Sequence, residues 1–219
     1  MKNIVLGIFL FACILGLCSG CTTMNMPPFP KRTAESCEFH LKKDGVTIGI
    51  HPITDKSEIM ERFEFDLPSK GLLQILFVVY NQNDTSSFII DREKILVANA
   101  AGGPGRPSQR KEVTAEQFDN GHTCNMVGGI LTSLLFLPAL PLACYGGKLM
   151  CDTIVIEYNL GDKEFYSRTL DPGQSAQGYI YFQYPPGGMP AGDYHVKADL
   201  KDSATGQVTP FNLPFKFTP

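Results

Sequence analysis

Leu72-Leu73-Gln74-Ile75-Leu76-Phe77-Val78-Val79-Tyr80 is the run whose reading decides the fold. Gly71 opens it and the turn-forming Asn81-Gln82-Asn83-Asp84 closes it. Side chains of a strand point alternately to its two faces. A run that is apolar at nearly every position therefore predicts a strand covered on both faces. Gly178-Tyr179-Ile180-Tyr181-Phe182-Gln183-Tyr184 has the same character. A sandwich core covers one face of such a strand, so something further must cover the other.

Working outward, Ser87–Asp91 and Lys94–Val97 read as two short strands after the Asn/Asp turn. A long apolar strand, such a turn and short returning strands resemble the middle of an immunoglobulin-like sandwich. The fold class implied is mainly β, an antiparallel immunoglobulin-like β-sandwich. Upstream, Cys37–Lys43 and Val46–Pro52 flank Asp44-Gly45, a favoured pair for a two-residue hairpin turn. That turn sets Phe39 opposite Ile50 and Leu41 opposite Ile48 on one side. Glu38, His40, Lys42, Thr47, Gly49 and His51 fall on the other, with His51 facing Glu38. A metal site and a solvated sheet face are the two readings of that polar side. Gly49, standing where a further ligand is needed, favours the solvated face.

Residues 53–70 are polar and charged, with Phe63, Phe65 and Leu67 alternating near the end, and read as a strand or a connector. Downstream, Asp171-Pro172-Gly173 marks a turn before a strand over Ser175–Tyr184. In Asp193–Leu200 the residues Tyr194, Val196, Ala198 and Leu200 share one face and His195, Lys197 and Asp199 the other, the pattern of a half-buried strand. Gln207–Phe217 reads as a last strand, placed at a sheet edge by Pro210 and Pro214.

The N-terminus carries a different message. Lys2 precedes an apolar run from Ile4 to Leu17, and Ser19-Gly20 follows. This is the layout of a secretory signal peptide, too short in its apolar part to cross a bilayer. Ser19-Gly20-Cys21 after such a core resembles the lipobox of bacterial lipoproteins, with Cys18 standing where that family prefers Leu. The resemblance implies that Cys21 becomes the first mature residue and carries acyl chains such as palmitate, with an outer-membrane destination and a periplasm-facing domain, since residue 22 is Thr and not Asp. Two chains on one residue give firm attachment where one gives marginal binding. The organisation expected is a signal peptide over 1–20, a lipidated linker over 21–35 and a β-sandwich domain over 36–219 with an apolar insertion over 120–150.

The net charge is −3, and −4 once residues 1–20 with Lys2 are removed. That argues against a nucleic-acid partner, which needs a basic stripe. The 21 Gly and 16 Pro favour a turn-rich β protein. Of seven cysteines, Cys37, Cys124, Cys144 and Cys151 remain after the signal peptide and Cys21 are set aside. An even number in an exported chain suggests two disulfides, in any of three pairings.

Asn120–Gly147 holds no Asp, Glu, Lys or Arg. Within it, residues 126–143 are long enough to suggest a crossing helix. Pro138 and Pro141 interrupt such a helix. A crossing also separates two sets of strands, neither of which closes a sandwich alone. Two readings stand: a helical hairpin dipping into the bilayer, or an outer layer packed on the two-faced strands. The second accounts for the apolar insertion and the uncovered strand faces together.

No GxxxxGK[ST], Gly-x-Ser-x-Gly or HExxH occurs. No catalytic residue, metal site or cofactor is signalled, and the acidic pair Asp162 and Glu164 reads as solvated surface. The reading is a non-enzymatic, lipid-anchored binding or assembly module whose partners are the membrane and envelope proteins. The alternative is a membrane-active or lipid-binding protein using residues 126–143.

Overall fold

The computed structural model describes residues 27–30, 32–64, 66–68, 71–99, 160–183 and 191–217. The chain divides into two compact units, residues 1–25 with 110–160 and residues 26–109 with 161–219. Apart from Leu160, every described residue belongs to the second unit, and it is this unit whose architecture follows.

The hairpin register expected from Asp44-Gly45 is present. β1 (Phe39–Lys43) pairs with β2 (Val46–Ile53), with Phe39 against Ile50 and Leu41 against Ile48. Asp44 and Gly45 take φ of 48° and 75°, the doubly positive geometry of a type I′ turn, which matches strand twist. β2 pairs antiparallel with β3 (Leu72–Asn81), and β3 with β7 (Ser175–Gln183), giving a first sheet in the order β1-β2-β3-β7. Beyond β7, a parallel bridge of Glu164 with Tyr179 extends this sheet by a short segment.

The second sheet is also antiparallel. β8 (Gly192–Asp202) pairs along its length with β9 (Val208–Phe217) on one side. On its other side lie β4 (Phe88–Ile90) and β5 (Leu96–Asn99) end to end, and β4 pairs in turn with β6 (Arg168–Leu170). Ile90 faces Leu200 and Leu96 faces Lys197, so five residues on this side oppose two on β8. The odd excess of three reverses the parity of the strand. Phe88 and Ile90 face the core before the interruption, and Ile95 and Val97 after it. The extra residues form a 3-10 turn over Arg92–Lys94, and the Asp91 side chain caps it by accepting from Glu93 N at 3.1 Å.

The two sheets share one core, making a β-sandwich. Ile48, Ile50, Ile75, Phe77 and Ile180 of the first sheet belong to the same buried cluster as Ile90, Val196, Leu200, Phe211 and Phe215 of the second. Phe165, from the segment that bridges to β7, packs edge-on to Phe77 with ring centroids 4.9 Å apart. β9 alternates strictly between exposed and buried residues. Pro210 and Pro214 are outward-facing on it, and among the described strands it pairs only with β8, as its prolines predict.

Two expectations are corrected. Where residues 53–70 read as a strand or a connector, the described ones after Ile53, the end of β2, include a helix, α1 (Lys56–Phe63). Asp55 caps it, its carboxylate accepting from Glu58 N at 2.9 Å, and Glu64 ends it at φ 58°. The polar side of the hairpin is solvated at Glu38, His40 and Lys42, which are exposed as expected, but not on β2. Thr47 is fully buried, and Gly49 lies under a 3-10 turn over Ala34–Ser36. A Cβ on Gly49 would stand 2.2 Å from the Ala34 carbonyl oxygen, so only glycine permits this approach.

Candidate functional site

The outer face of the first sheet is where the fold departs from a plain sandwich. Leu72, Leu76 and Val78 of β3 and Tyr179 and Tyr181 of β7 are directed away from the shared core, and all are buried. Part of their cover is local. Ile59 and Phe63, one helical turn apart on α1, pack down onto them, with Phe63 edge-on to Tyr179 and Tyr181 at centroid separations of 5.0 and 6.4 Å. Phe29 adds a fourth ring, 5.4 Å from Tyr179. The two-faced run Leu72–Tyr80 thus has part of its cover among the described residues, in α1, in Phe29 and in residues 32–37. The insertion over 120–150 lies outside them.

A polar seam runs along the edge of this cover. His51 Nε2 is 3.4 Å from Glu58 Oε2, and His51 Nδ1 is 3.7 Å from Glu38 Oε2. Arg62 Nε donates to Glu58 Oε1 at 2.8 Å. Burial pushes the Glu58 carboxyl up, but the Arg62 hydrogen bond and the His51 and Arg62 charges outweigh it and hold it below its ordinary value. Burial pushes the Tyr179 phenol up against the opposing charge of Arg62. Of the residues placed on this side by the hairpin register, His40 turns its Nδ1 to within 3.3 Å of the Cys37 carbonyl. Among the described residues there is no group of three His, Cys, Asp or Glu that could hold a metal ion.

Cys37 is a free, buried thiol whose sulfur lies 3.6 Å from the Thr33 carbonyl oxygen, and burial raises its pKa. Free and buried, Cys37 packs as a small apolar side chain, and the three cysteines expected as its possible disulfide partners lie outside the described residues. Cys21, Cys124, Cys144 and Cys151 lie outside the described residues, as do residues 126–143. No helix among the described residues is long and apolar enough to cross a membrane.

The acidic pair of the sequence separates. The side chain of Asp162 is 62% exposed, while that of Glu164 is 5% exposed and accepts from the Arg92 guanidinium. Glu164 is thus a buried ion-pair partner and not solvated surface. Arg92 reaches it from the parity-reversing turn of the second sheet, and its backbone N–H donates to Ser167 Oγ at 2.8 Å.

One open recess interrupts the cover. It encloses about 800 Å³ and is lined by Arg32 to Glu35, by Val78 and Tyr80 of β3, by Ser175 to Gln177 of β7, and by Arg168 of β6. β3 and β7 bring Tyr80 opposite Ser175 and Val78 opposite Gln177 in the ladder, which forms the floor. The turn over Ala34–Ser36 forms one wall. Arg168 stands where the chain, having bridged to β7 at Glu164, enters the second sheet. None of these residues carries a local motif, and only their assembly in space makes the recess. No protein-family model matches the chain, and no curated protein sequence matches it.

Proposed function

We propose that the chain is a bacterial lipoprotein tethered through acyl chains on Cys21, and that its sandwich is a non-enzymatic binding or assembly module in the cell envelope. The observation that carries the placement is the cysteine that directly follows an apolar run and the small pair Ser19-Gly20. An outer-membrane, periplasm-facing position goes with Thr22. The module reading is supported by a sandwich that covers one outer sheet face with its own chain and leaves a recess of about 800 Å³ open in that cover. The immunoglobulin-like form of the sandwich is part of this proposal, supported by a four-stranded antiparallel sheet sharing its core with a second antiparallel sheet.

Intact-mass analysis of protein extracted from its own membranes tests the tether. The expected species begins at Cys21 and carries the mass of two or more acyl chains, and Cys21→Ala leaves the protein water-soluble. An acyl-free, soluble native protein overturns the placement. Capture of envelope proteins on the native chain, followed by mass spectrometry, tests the module. The charge-free run Asn120–Gly147 supports a second reading, in which residues 126–143 form a helical hairpin that enters the bilayer. A chain lacking 126–143 that stays folded and loses only liposome binding favours it. One that aggregates marks the insertion as structural cover.

A further inference from the structure

We propose that the recess on the outer face of the first sheet takes a small ligand bearing an oxyanion, a phosphate or a carboxylate, gripped by Arg32 and Arg168. The inference rests on the binding-module reading and names the chemistry of its ligand.

Four arginines lie among the described residues. Two are consumed internally: Arg62 holds Glu58, and Arg92 holds Glu164 and Glu93. The other two, Arg32 and Arg168, enter no salt bridge among the described residues, and both line the recess. Their sequence separation, and their origin in different layers of the fold, mean that only the folded chain brings them to one cavity. Glu35, the one carboxylate among the described lining residues, accepts from Gln82 Nε2 at 2.7 Å and keeps its charge. The described lining thus carries two guanidiniums against one carboxylate, an excess of one positive charge.

A guanidinium presents several N–H donors in a planar fork that matches phosphate and carboxylate oxygens. Two of them on the walls of a concave, partly desolvated site focus positive potential on its centre. Thr33, Ser175 and Gln177 add neutral hydrogen-bonding groups. Val78 is buried and Tyr80 is half-buried on the floor, so the body of the ligand meets an apolar and aromatic surface. The chemistry that fits is an anionic group on a flat or apolar body. A soluble phosphomonoester and the phosphodiester headgroup of an anionic lipid both present it.

The test uses the full native chain in neutral detergent, with phenyl phosphate, benzoate and neutral phenyl glucoside titrated by calorimetry. In parallel, vesicles of phosphatidylcholine with and without phosphatidylglycerol are tested by flotation. We expect saturable binding of an anionic probe and none of the glucoside. Arg32→Gln and Arg168→Gln should each weaken binding about tenfold or more, the loss of a charge-assisted hydrogen bond. Gln177→Glu, which leaves both arginines in place, should weaken it by like-charge repulsion. Binding of the small anions identifies a soluble ligand. Arginine-dependent flotation with phosphatidylglycerol alone identifies the headgroup. Anion binding that survives the double arginine substitution with its affinity intact, or no binding by any anionic probe, overturns the proposal. Envelope capture that is unchanged in the double variant sinks this inference and leaves the module reading standing. An acyl-free protein that still binds phenyl phosphate through both arginines overturns the placement and leaves this inference standing.

Discussion

The two sheets solve the same problem with different sequences. β9 of the second sheet reads exposed, buried, exposed, buried along its whole length, and β8 nearly so. β3 of the first sheet is buried at every position but Tyr80. Strand geometry is the same in both; what differs is the number of apolar surfaces each sheet must hide. The second sheet has one and leaves Lys197, Asp199 and Lys216 in water. The first has two, and the chain makes a lid from pieces adjacent in sequence to its strands: residues 29–37 before β1, and α1 between β2 and β3. An alternating pattern therefore announces a finished sheet, whereas a continuous one announces a sheet that requires another layer.

The largest expected effect lies in that layer. Phe63 is fully buried against Tyr179 and Tyr181. Phe63→Ala should lower the unfolding free energy by about 3–5 kcal/mol, the usual cost of emptying an aromatic site. Urea unfolding followed by far-UV circular dichroism measures it, since the chain has no Trp. A cost below about 1 kcal/mol would show that α1 is ornament on a sheet able to stand bare. Next comes Gly49→Ala, which drives a methyl into the Ala34 carbonyl and should cost about 1–3 kcal/mol by overpacking. The same change has no counterpart on the outer face of β9, where Pro210, Asn212, Pro214 and Lys216 are exposed.

Smaller in size is the pH dependence carried by Glu58. Its folded pKa is held below the unfolded value near 4.5, so the unfolded state binds the proton more readily. The stabilisation is complete above that value and is lost as pH falls from about 4.5 through the folded pKa. Glu58→Gln should flatten the stability profile in this acid window, and an unchanged acid slope would remove Glu58 from the account. The smallest effect sharpens the contrast from the other side. Lys216→Ala, on the solvated face of β9, should stay within about 0.5 kcal/mol of the parent protein. A loss comparable to that at Phe63 would mean the second sheet also has a hidden cover.

Much of the sandwich is legible in the amino acids, because hairpin chemistry and period-two patterning are local. Asp44-Gly45 fixes a register that places Phe39 on Ile50, and Tyr194 to Leu200 alternate as they must. The need for a second layer over Leu72–Tyr80 is equally legible, but its identity is not, since an apolar surface does not name what lies on it. α1 had a signal of its own in Asp55 followed three residues later by Glu58, the spacing of a helix start, with Ile59 and Phe63 four apart. The alternation of Phe63, Phe65 and Leu67 masks it by suggesting a strand across the helix end. Glu164 defeats local reading for a different reason. Its neighbours Asp162 and Lys163 are surface-like, and its partner Arg92 stands 72 residues away. The recess is the extreme case. Arg32 falls in a proline-rich stretch that reads as spacer, Arg168 opens a three-residue strand, and nothing short of the fold brings them together.

The contact of Phe29 with Tyr179 holds the chain against the outer face of the first sheet eight residues after Cys21. Under the proposal that Cys21 holds the acyl chains, those eight residues, and not the fifteen of segment 21–35, set the greatest reach between lipid and sheet. At a maximum of about 3.5 Å per residue, eight residues reach roughly 28 Å. With a headgroup region about 5–7 Å thick on each side of a bilayer, that reach spans about four or five such layers at most. Under the proposed tether, what the sandwich meets first is decided by which side is tied down.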